Sequence, residues 1–239
     1  MKLVLFGYGR MGQLVAQEAL STGHEVRLIV RRINRDTITA DQLRQADVAL
    51  DFTSPDAVLS NVLLCFEAQL PVVVGTTGWY DALDHVRDAC LRMNGSLLYG
   101  SNFSTGMNIV FRVNQYLARL MREQTSFAPS IEEIHHQHKK DAPSGTAITL
   151  AEDLIAASGL RTSWAPSDRA TAHQLPISSI RESDHIGEHT VTYASEGEII
   201  RLQHRALSRR IFAQGALSAA QWLHGRKGFY SFSDMFSLH

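Results

Sequence analysis

Cysteine is scarce in this chain, whose 239 residues include only Cys65 and Cys90. Their spacing fits no metal-binding pattern, which argues against a thiolate metal site. Both lie in apolar or helical sequence, so we expect buried, reduced thiols, as suits a reducing cytosol.

Long apolar runs are missing as well. The segment LVLF near the N-terminus ends at Gly7 and is too short for the core of a signal peptide, and no apolar run reaches transmembrane length. The chain also lacks an excess of either charge: a formal net charge of -1 gives no electrostatic footprint for nucleic acid or for an anionic membrane. We therefore expect a cytoplasmic protein whose partners include neither nucleic acid nor membrane.

Internal repeats and low-complexity linkers are absent too, and a composition of 44% hydrophobic and 20% charged residues argues against a disordered chain. The first 104 residues do contain a series of short apolar runs that alternate with helical sequence, namely KLVLF, EVRLIV, VALDF, PVVVG and SLLYG. Such runs are typical of buried parallel strands joined by right-handed crossovers. They predict an α/β fold with a Rossmann-type, doubly wound parallel sheet.

A glycine-rich turn follows the first of these runs. Gly7 permits a tight turn, Gly9 allows a pyrophosphate to approach the backbone, and Gly12 lets the helix pack closely on the strand. The helix that begins near Arg10 would direct its first N–H groups at the phosphates. This context, from a strand into a helix that ends at Gly23, predicts a dinucleotide site; the alternative is a glycine-rich turn in an ordinary α/β domain.

The end of the second run bears on which dinucleotide is used. NAD-preferring sites carry an Asp or Glu there to bind the ribose hydroxyls, whereas this chain has Arg31 and Arg32. A guanidinium group pairs in a bidentate manner with a phosphate such as the 2′-phosphate of NADPH. We predict that NADPH is used at least as well as NADH; the alternative is that both arginines belong to a solvated loop.

Two polar loops follow later strands, GTTGW over residues 75–79 and GSNFS over residues 100–104. Ligands of doubly wound folds bind at the carboxyl ends of the strands, so both loops are candidates for the nicotinamide half of the site. Each is also a plausible turn when taken alone.

The second half of the chain has a more segregated pattern. A helix, an apolar-acidic segment and a second helix precede a polar, loop-like tract that runs from residue 161 to about 174. Three strand-like runs follow, PISSIRE, GEHTVTYAS and EIIRLQHRA, and then an amphipathic helix and a C-terminal tail. We expect a second, α+β domain with an open, mostly antiparallel sheet. Residues 1–104, with 211–239 packing back on them, are the predicted dinucleotide domain, and 105–210 the domain for substrate binding and oligomerisation.

A dense group of titratable residues, EIHHQHKKDAPSGTA, lies at the first strand-to-helix transition of this domain. The N–H groups that open the helix at Gly145, the hydroxyls of Ser144 and Thr146 and a nearby lysine form a carboxylate site. Histidine and lysine beside it would supply protons near neutral pH if their pKa values were suitably shifted.

Two other interpretations of this stretch stay open. A zinc site would use His136 and His138, but no thiol or further ligand set accompanies them, and we expect no metal. A structural interpretation makes the histidines surface residues of a strand and DAPSG a simple helix cap.

The stretch resembles the signature E-x-H-H-x-x-K-x-D-A-P-S-G-T-A of the dihydrodipicolinate reductase family, also called 4-hydroxy-tetrahydrodipicolinate reductases. The similarity extends through GYGRMG, DFTSP, VVVGTTGW, SNFSTGMN, GEHTV, HRALSRRIFAQGAL and FSDMF, and so spans nearly the whole chain. The resemblance implies a two-domain enzyme of lysine and diaminopimelate biosynthesis. Such enzymes use NADPH or NADH to reduce a cyclic imine dicarboxylate, with loss of water, to tetrahydrodipicolinate.

The resemblance also implies roles for single residues. His135 matches the family's proton donor or acceptor, and Lys139 matches its proton donor. The matching substrate-binding positions are His136, Lys139, Ser144, Gly145 and Thr146. The matching cofactor positions are Gly7, Tyr8, Gly9, Arg10, Met11, Gly12, Gly75, Thr76, Thr77, Ser101, Asn102 and Phe103.

Two further expectations follow from the resemblance. Arg31 stands where members that use both cofactors often carry an acidic residue, which strengthens the argument for NADPH. Members of this family are usually homotetramers in which the sheets of the second domains pack together. An open sheet would need such a partner to cover its exposed face and edges.

Overall fold

A computed structural model of the chain describes residues 1–182 and 184–236. The strands are β1 Lys2–Phe6, β2 Glu25–Val30, β3 Val48–Asp51, β4 Val72–Val74, β5 Ser96–Tyr99, β6 Ala128–His135, β7 Ser163–Pro166, β8 Gln174–Arg181, β9 Glu188–Ala194, β10 Ile199–Arg205 and β11 Gly228–Ser231. The α-helices are α1 Arg10–Ser21, α2 Ala40–Leu43, α3 Pro55–Glu67, α4 Leu83–Arg92, α5 Thr105–Met121, α6 Gly145–Ser158 and α7 Arg210–Leu223. Short 3-10 helices cover Arg35–Thr37, Tyr80–Ala82 and Phe232–Phe236.

The chain divides into two compact units. The first unit comprises residues 1–105 together with the described residues from 210 onward, and the second comprises residues 106–209. The binding roles expected of the two predicted domains remain predictions. None of the helices that the structure describes has the length and apolarity needed to cross a bilayer.

The first unit contains a six-stranded sheet in the order β11-β5-β4-β3-β1-β2, in which every pairing is parallel. Successive residues of a strand point to opposite faces, so Val4 and Phe6 join one apolar core and Leu3 and Leu5 join another. The predicted Rossmann-type sheet is confirmed. Its strand order reverses beside β1, and in such sheets ligands bind in the crevice outside the carboxyl ends of the strands at the reversal.

The C-terminal segment completes the first unit. Six residues of α7 are buried in the same core as Leu3 and Leu5, and β11 extends the sheet by pairing with β5. Phe232, which follows β11, is 2% exposed and lies with its ring centroid 4.8 Å from that of Phe103. A strand therefore stands where the sequence indicated only a tail.

The second unit contains a five-stranded sheet in the order β10-β9-β6-β8-β7. The predicted open sheet is present, but the expectation of mostly antiparallel pairing is corrected to a mixed sheet. Pairings of β9 with β6 and β10 are antiparallel, whereas those of β8 with β6 and β7 are parallel. The crossover through α6 returns the chain in the direction of β6, which makes parallel pairing possible. The strand β7 lies in the tract that was expected to be a loop.

One face of this sheet, which we call the covered face, carries the apolar core of the second unit. Its residues include Ile131, Ile177, Val191 and Tyr193, which pack with buried residues of α5 and α6. The opposite, uncovered face carries the alternate residues, such as Glu132, and contributes none of the buried members of that core. The helices of the second unit thus bury one side of the sheet.

Candidate active site

The covered face turns polar at one end. Strand β6 places Glu133 and His135 on the same face as Ile131, because they follow it at intervals of two residues. In register, His189 of β9 lies opposite Glu133, and Arg181 of β8 lies opposite His135. Glu133 has no exposed surface, and His135 and His189 are also buried. Three ionisable side chains therefore share a site with little water.

Glu133 and His135 form the centre of this site. Nδ1 of His135 is in ion-pair contact with Oε2 of Glu133, and Arg181 donates from Nη2 to Oε1 of Glu133 at 2.9 Å. Burial alone would raise the pKa of Glu133, but hydrogen bonds from His135, Arg181 and Ser179 lower it to about 2. The ionised carboxylate thus favours the tautomer of His135 with the proton on Nδ1, in which Nε2 carries the lone pair.

His189 links this pair to helix α6. Its Nε2 lies 3.1 Å from the hydroxyl oxygen of Ser144, and its ring centroid lies 5.0 Å from that of His135. Burial, together with the neighbouring His135, lowers the pKa of His189 to about 3, so the ring is neutral at neutral pH. Ser144 also accepts a hydrogen bond from the backbone N–H of Ala147 at 3.3 Å and caps the helix.

The N-terminus of α6 lies beside the histidines through this contact. The first N–H groups of a helix have no partner within it, and the helix dipole favours an anion there. A Cβ atom built on Gly145 would meet nothing within 4 Å, so the approach to this helix end is open. The predicted substrate-binding positions Ser144, Gly145 and Thr146 are consecutive at this end of the helix. The arrangement is suited to a carboxylate.

The loop between β6 and α6 carries Lys139. Its ammonium donates to both oxygens of the Asp141 carboxylate, at 2.9 and 2.8 Å, and this bond lowers the pKa of Asp141. Arg181 donates to the backbone carbonyl of Asp141 at 2.7 Å, which ties the loop to the site. The adjacent His136 is partly buried; burial, followed by the charge of Arg209, lowers its pKa.

Glu133, His135 and His189 are grouped as metal ligands often are, since their ligand atoms lie within 4.8 Å of one another. This set differs from the pair His136 and His138 that the sequence suggested. The Arg181 guanidinium at 2.9 Å from Glu133 would oppose a bound cation, and the three side chains already bind one another or Ser144. We interpret the cluster as a site for proton transfer.

The first unit contains a cavity of about 940 Å³ at the carboxyl ends of β1, β2 and β3. It is lined by five predicted cofactor positions, Gly7, Tyr8, Gly9, Arg31 and Arg32. Sequence reasoning did not find the other lining residues, which include Gln13, Arg35, Asp36, Phe52, Thr53, Ser54, Asp56 and Asn61.

Of the three glycines in the turn, Gly9 is the one that leaves space for a ligand in this cavity. A Cβ atom on Gly7, whose φ is +87°, would lie 2.2 Å from the carbonyl oxygen of Phe52, and one on Gly12 would lie 2.3 Å from that of Gly7. A Cβ on Gly9 would meet nothing within 4 Å, although Gly9 has an ordinary φ of -75°. Gly7 and Gly12 are therefore required by the fold, whereas Gly9 keeps one wall of the cavity open to a ligand.

A buried carboxylate organises the loops around this cavity. Asp51 accepts hydrogen bonds from the hydroxyl of Thr53 at 2.6 Å, the hydroxyl of Thr76 at 2.8 Å and the amide of Asn61 at 2.8 Å. Burial raises the pKa of Asp51, and these hydrogen bonds act in the opposite direction. The network explains how Thr76 is placed, through its contact with Asp51 and with the backbone N–H of Thr53 at 2.8 Å.

The other predicted cofactor positions do not line this cavity. Phe103 is 3% exposed and packs in the core, so any contribution to a cofactor would come from its backbone. A Cβ on Gly75 would lie 2.1 Å from the ring of Phe52, and Asn102 accepts from the backbone N–H of Ser104 at 2.9 Å. Also outside the cavity lining are Arg10, Met11, Gly12, Thr76, Thr77 and Ser101. Their cofactor roles stay predictions.

The fold and the two sites together define a class of protein. A doubly wound parallel sheet with a dinucleotide cavity, on a chain that also carries a buried Glu–His pair beside a helix N-terminus, is typical of dinucleotide-dependent oxidoreductases with a separate substrate unit.

Comparisons with known proteins identify the family. The model for the N-terminus of dihydrodipicolinate reductase matches residues 1–103, and that for the C-terminus matches residues 106–236. A 4-hydroxy-tetrahydrodipicolinate reductase of Christiangramia forsetii is 40% identical over 238 residues, which cover 99% of this chain and 98% of that protein. One from Neisseria gonorrhoeae is 35% identical over 204 residues, 82% of this chain and 75% of the relative. This chain belongs to the dihydrodipicolinate reductase family.

A solved structure agrees in fold. The dipicolinate-bound dihydrodipicolinate reductase from Paenisporosarcina sp. TG-14 matches with a TM-score of 0.79 at 21% sequence identity. The match covers 98% of this chain and 99% of that one. Both units of the present chain therefore have counterparts in that structure.

Proposed function

We infer that this chain is an NAD(P)H-dependent oxidoreductase that reduces 4-hydroxy-tetrahydrodipicolinate to tetrahydrodipicolinate and water, a step in lysine and diaminopimelate biosynthesis. The family match over residues 1–103 and 106–236 carries this conclusion. Its cofactors are NADPH and NADH. When bound, the reduced nicotinamide supplies a hydride, while binding, orientation and proton transfer are left to the residues of the chain.

The N-terminus of α6 is our candidate for binding the substrate's carboxylates. The backbone of Gly145, the hydroxyls of Ser144 and Thr146 and the dipole of a 14-residue helix supply hydrogen-bond donors and positive potential. Lys139 and His136, on the preceding loop, add cationic or donor groups. The open space at Gly145 supports a close approach of a carboxylate to the backbone.

His135 and Lys139 are our candidates for proton transfer. Reduction of a conjugated imine leaves an enamine-like centre that must take up a proton. In our proposal Lys139 donates a proton, after its ammonium leaves Asp141 for the substrate, and His135 gives or accepts one at Nε2. The Glu133 carboxylate supports this role because it fixes the tautomer of His135 and balances its charge when Nε2 is protonated.

A coupled assay tests the function and these roles together. Aspartate semialdehyde, pyruvate and a dihydrodipicolinate synthase would generate the substrate, and the loss of NADPH absorbance would be followed. We expect oxidation by the parent enzyme and a fall in kcat on the order of a hundredfold for Lys139→Ala and for His135→Ala.

The neighbouring exposed residues provide matched controls for that assay. Lys140→Ala and His138→Ala remove the same side chains one and three positions away, and we expect kcat to change by about twofold or less. A parent protein that binds NADPH but oxidises none would contradict the function. Equal losses in the Lys139 and Lys140 variants would contradict the assignment of Lys139.

A further inference from the structure

We propose that Arg35 is the residue that anchors the 2′-phosphate of NADPH and so favours NADPH over NADH. The inference rests on the proposed function only in that NADPH is a cofactor of this chain. It adds to that function a residue that determines cofactor specificity and that is neither Arg31 nor Arg32, the two arginines that follow β2. All three arginines line the same cavity.

Arg31 and Arg32 are both exposed, and within residues 1–182 and 184–236 no hydrogen bond orients either guanidinium. The guanidinium carbon of Arg31 lies over the ring of Tyr8, 4.7 Å from its centroid, so its planar face is used in a cation–π contact. Arg32 is exposed, and its charge contributes, after hydrogen bonds from Ser54 and the backbone, to lowering the pKa of Asp56. A phosphate that approached Arg32 would therefore also meet the carboxylate of Asp56.

Arg35 is held in place by neutral oxygens. Its Nε donates to Oδ1 of Asn61, and its Nη2 donates to the backbone carbonyl of Ser60 at 2.9 Å. The amide of Asn61 is 1% exposed and is itself fixed by its bond to Asp51 at 2.8 Å. The guanidinium is thus oriented through a chain of hydrogen bonds that ends at a buried carboxylate.

The charge of Arg35 is left unneutralised by this arrangement. Within residues 1–182 and 184–236, no carboxylate lies within ion-pair distance of its guanidinium. The two bonds to Asn61 and Ser60 leave Nη1 and one N–H of Nη2 for a ligand. Because the group is already oriented, a phosphate that binds it loses less side-chain entropy than it would with an exposed arginine.

The position of Arg35 agrees with a role at the ribose. It opens the 3-10 helix Arg35–Thr37, which follows β2, and the end of this second strand is where doubly wound folds contact the ribose 2′ position. A phosphate there would receive charge-assisted hydrogen bonds from Arg35, whereas the 2′-hydroxyl of NADH would gain much less. Arg35 therefore discriminates between the two cofactors.

Binding of cofactor fragments tests the proposal without turnover. Isothermal titration would give the Kd of the whole chain for 2′,5′-ADP, which carries the 2′-phosphate, and for 5′-AMP, which lacks it. For Arg35→Gln we expect the Kd for 2′,5′-ADP to rise about tenfold or more, with the Kd for 5′-AMP unchanged within about twofold. Arg35→Lys keeps the charge but loses the bidentate geometry of the guanidinium. Its Kd for 2′,5′-ADP should lie between those of the parent and of Arg35→Gln.

Matched variants decide between the three arginines. Arg31→Gln and Arg32→Gln should each change the ratio of the two Kd values by about threefold or less, and Arg44→Gln, outside the cavity, should leave it unchanged. The proposal is overturned if Arg35→Gln leaves the ratio of the two Kd values as it is in the parent, which includes the case in which both ligands bind more weakly by the same factor. It is also overturned if Arg32→Gln is the only variant that removes the preference for 2′,5′-ADP. The coupled assay with NADH separates the two proposals. If Arg35→Gln still oxidises NADH, the proposed function holds whether or not Arg35 selects the cofactor.

Discussion

Glu133 is a carboxylate with no exposed surface, and its two oxygens contact His135 and Arg181. In Glu133→Gln the amide keeps the shape of the side chain but no longer fixes the Nδ1 tautomer of His135. We expect kcat to fall on the order of tenfold to a hundredfold, with a smaller change in KM, and nitrogen NMR of the histidine rings should report a changed tautomer.

The neighbouring Glu132 offers a control for that measurement, because it lies on the same strand but points to the uncovered face and is exposed. Glu132→Gln should leave both kcat and the tautomer of His135 as they are in the parent. If the two variants lost the same activity, or if Glu133→Gln left the tautomer unchanged, Glu133 would have no positioning role.

His189 predicts a dependence of stability on pH. Its pKa of about 3 in the folded chain lies below the usual 6.5, so below pH 6.5 the unfolded chain binds a proton that the folded chain does not. The free energy of unfolding therefore decreases as pH falls from 6.5 towards 3. From this group alone we expect a loss of about 1.4 kcal/mol between pH 7.5 and 5.5.

Urea unfolding at these two pH values would measure that loss. His189→Gln has no proton to bind at this position and keeps a polar group beside Ser144, so its loss should be smaller than that of the parent by about that amount. Other titrating groups contribute equally to both proteins. Equal losses in the two proteins would mean that His189 is protonated in the folded chain.

At the level of elements, the glycine turn makes separable predictions for two of its residues. Gly9→Ala adds a methyl group where nothing lies within 4 Å, so the free energy of unfolding should change by about 0.5 kcal/mol or less. NADPH binding should weaken by about tenfold or more, because the methyl group occupies the phosphate side of the cavity. Calorimetric titration and urea unfolding would measure the two effects.

Gly12→Ala should behave in the opposite way. Its Cβ would lie 2.3 Å from the carbonyl oxygen of Gly7, and relief of that contact must move backbone, at a cost of about 1–3 kcal/mol in stability. Unchanged stability in Gly12→Ala, or unchanged NADPH affinity in Gly9→Ala, would contradict the division of roles within the turn.

Elements with a strong local pattern were predictable from the sequence. The five apolar runs became β1 to β5, and the helix expected near Arg10 begins there. The short strands β7 and β11 were missed, because each has four residues and is stabilised by its neighbour in the sheet more than by its own pattern. Antiparallel pairing in the second sheet was right for β9 with β6 and β10 but not for β8 with β6 and β7, since the local pattern of a strand does not specify the direction of its neighbour.

The candidate site was predictable only in part. Single-sequence patterns indicated the histidines, Lys139 and the helix cap, since these lie within one continuous stretch. Arg181 and His189 come from other strands, and nothing in the sequence fixes their register against β6. The spacing of Glu133 and His135, two residues apart on a strand, was a signal that they share a face.

For the whole molecule, we expect a homotetramer that buries the uncovered face of the second sheet. The edge strand β10 alternates exposed and partly buried residues, and the buried members of the core come from the covered face. Sedimentation equilibrium at micromolar concentration should give about four times the chain mass of 26.6 kDa. A particle with the mass of one chain would contradict this expectation.

The return of residues 210–236 to the first unit has a consequence for synthesis on the ribosome. The strands β3, β4 and β5, whose Leu50, Val73 and Leu98 share one apolar core with α7, pack against this helix, which is made more than 100 residues later. The whole of the second unit emerges in between and can fold while the first is still incomplete. The nascent chain thus exposes one apolar face of its first sheet until α7 has been made. Chaperones that bind exposed apolar surface therefore have the longest time to act on the first-made part of the enzyme.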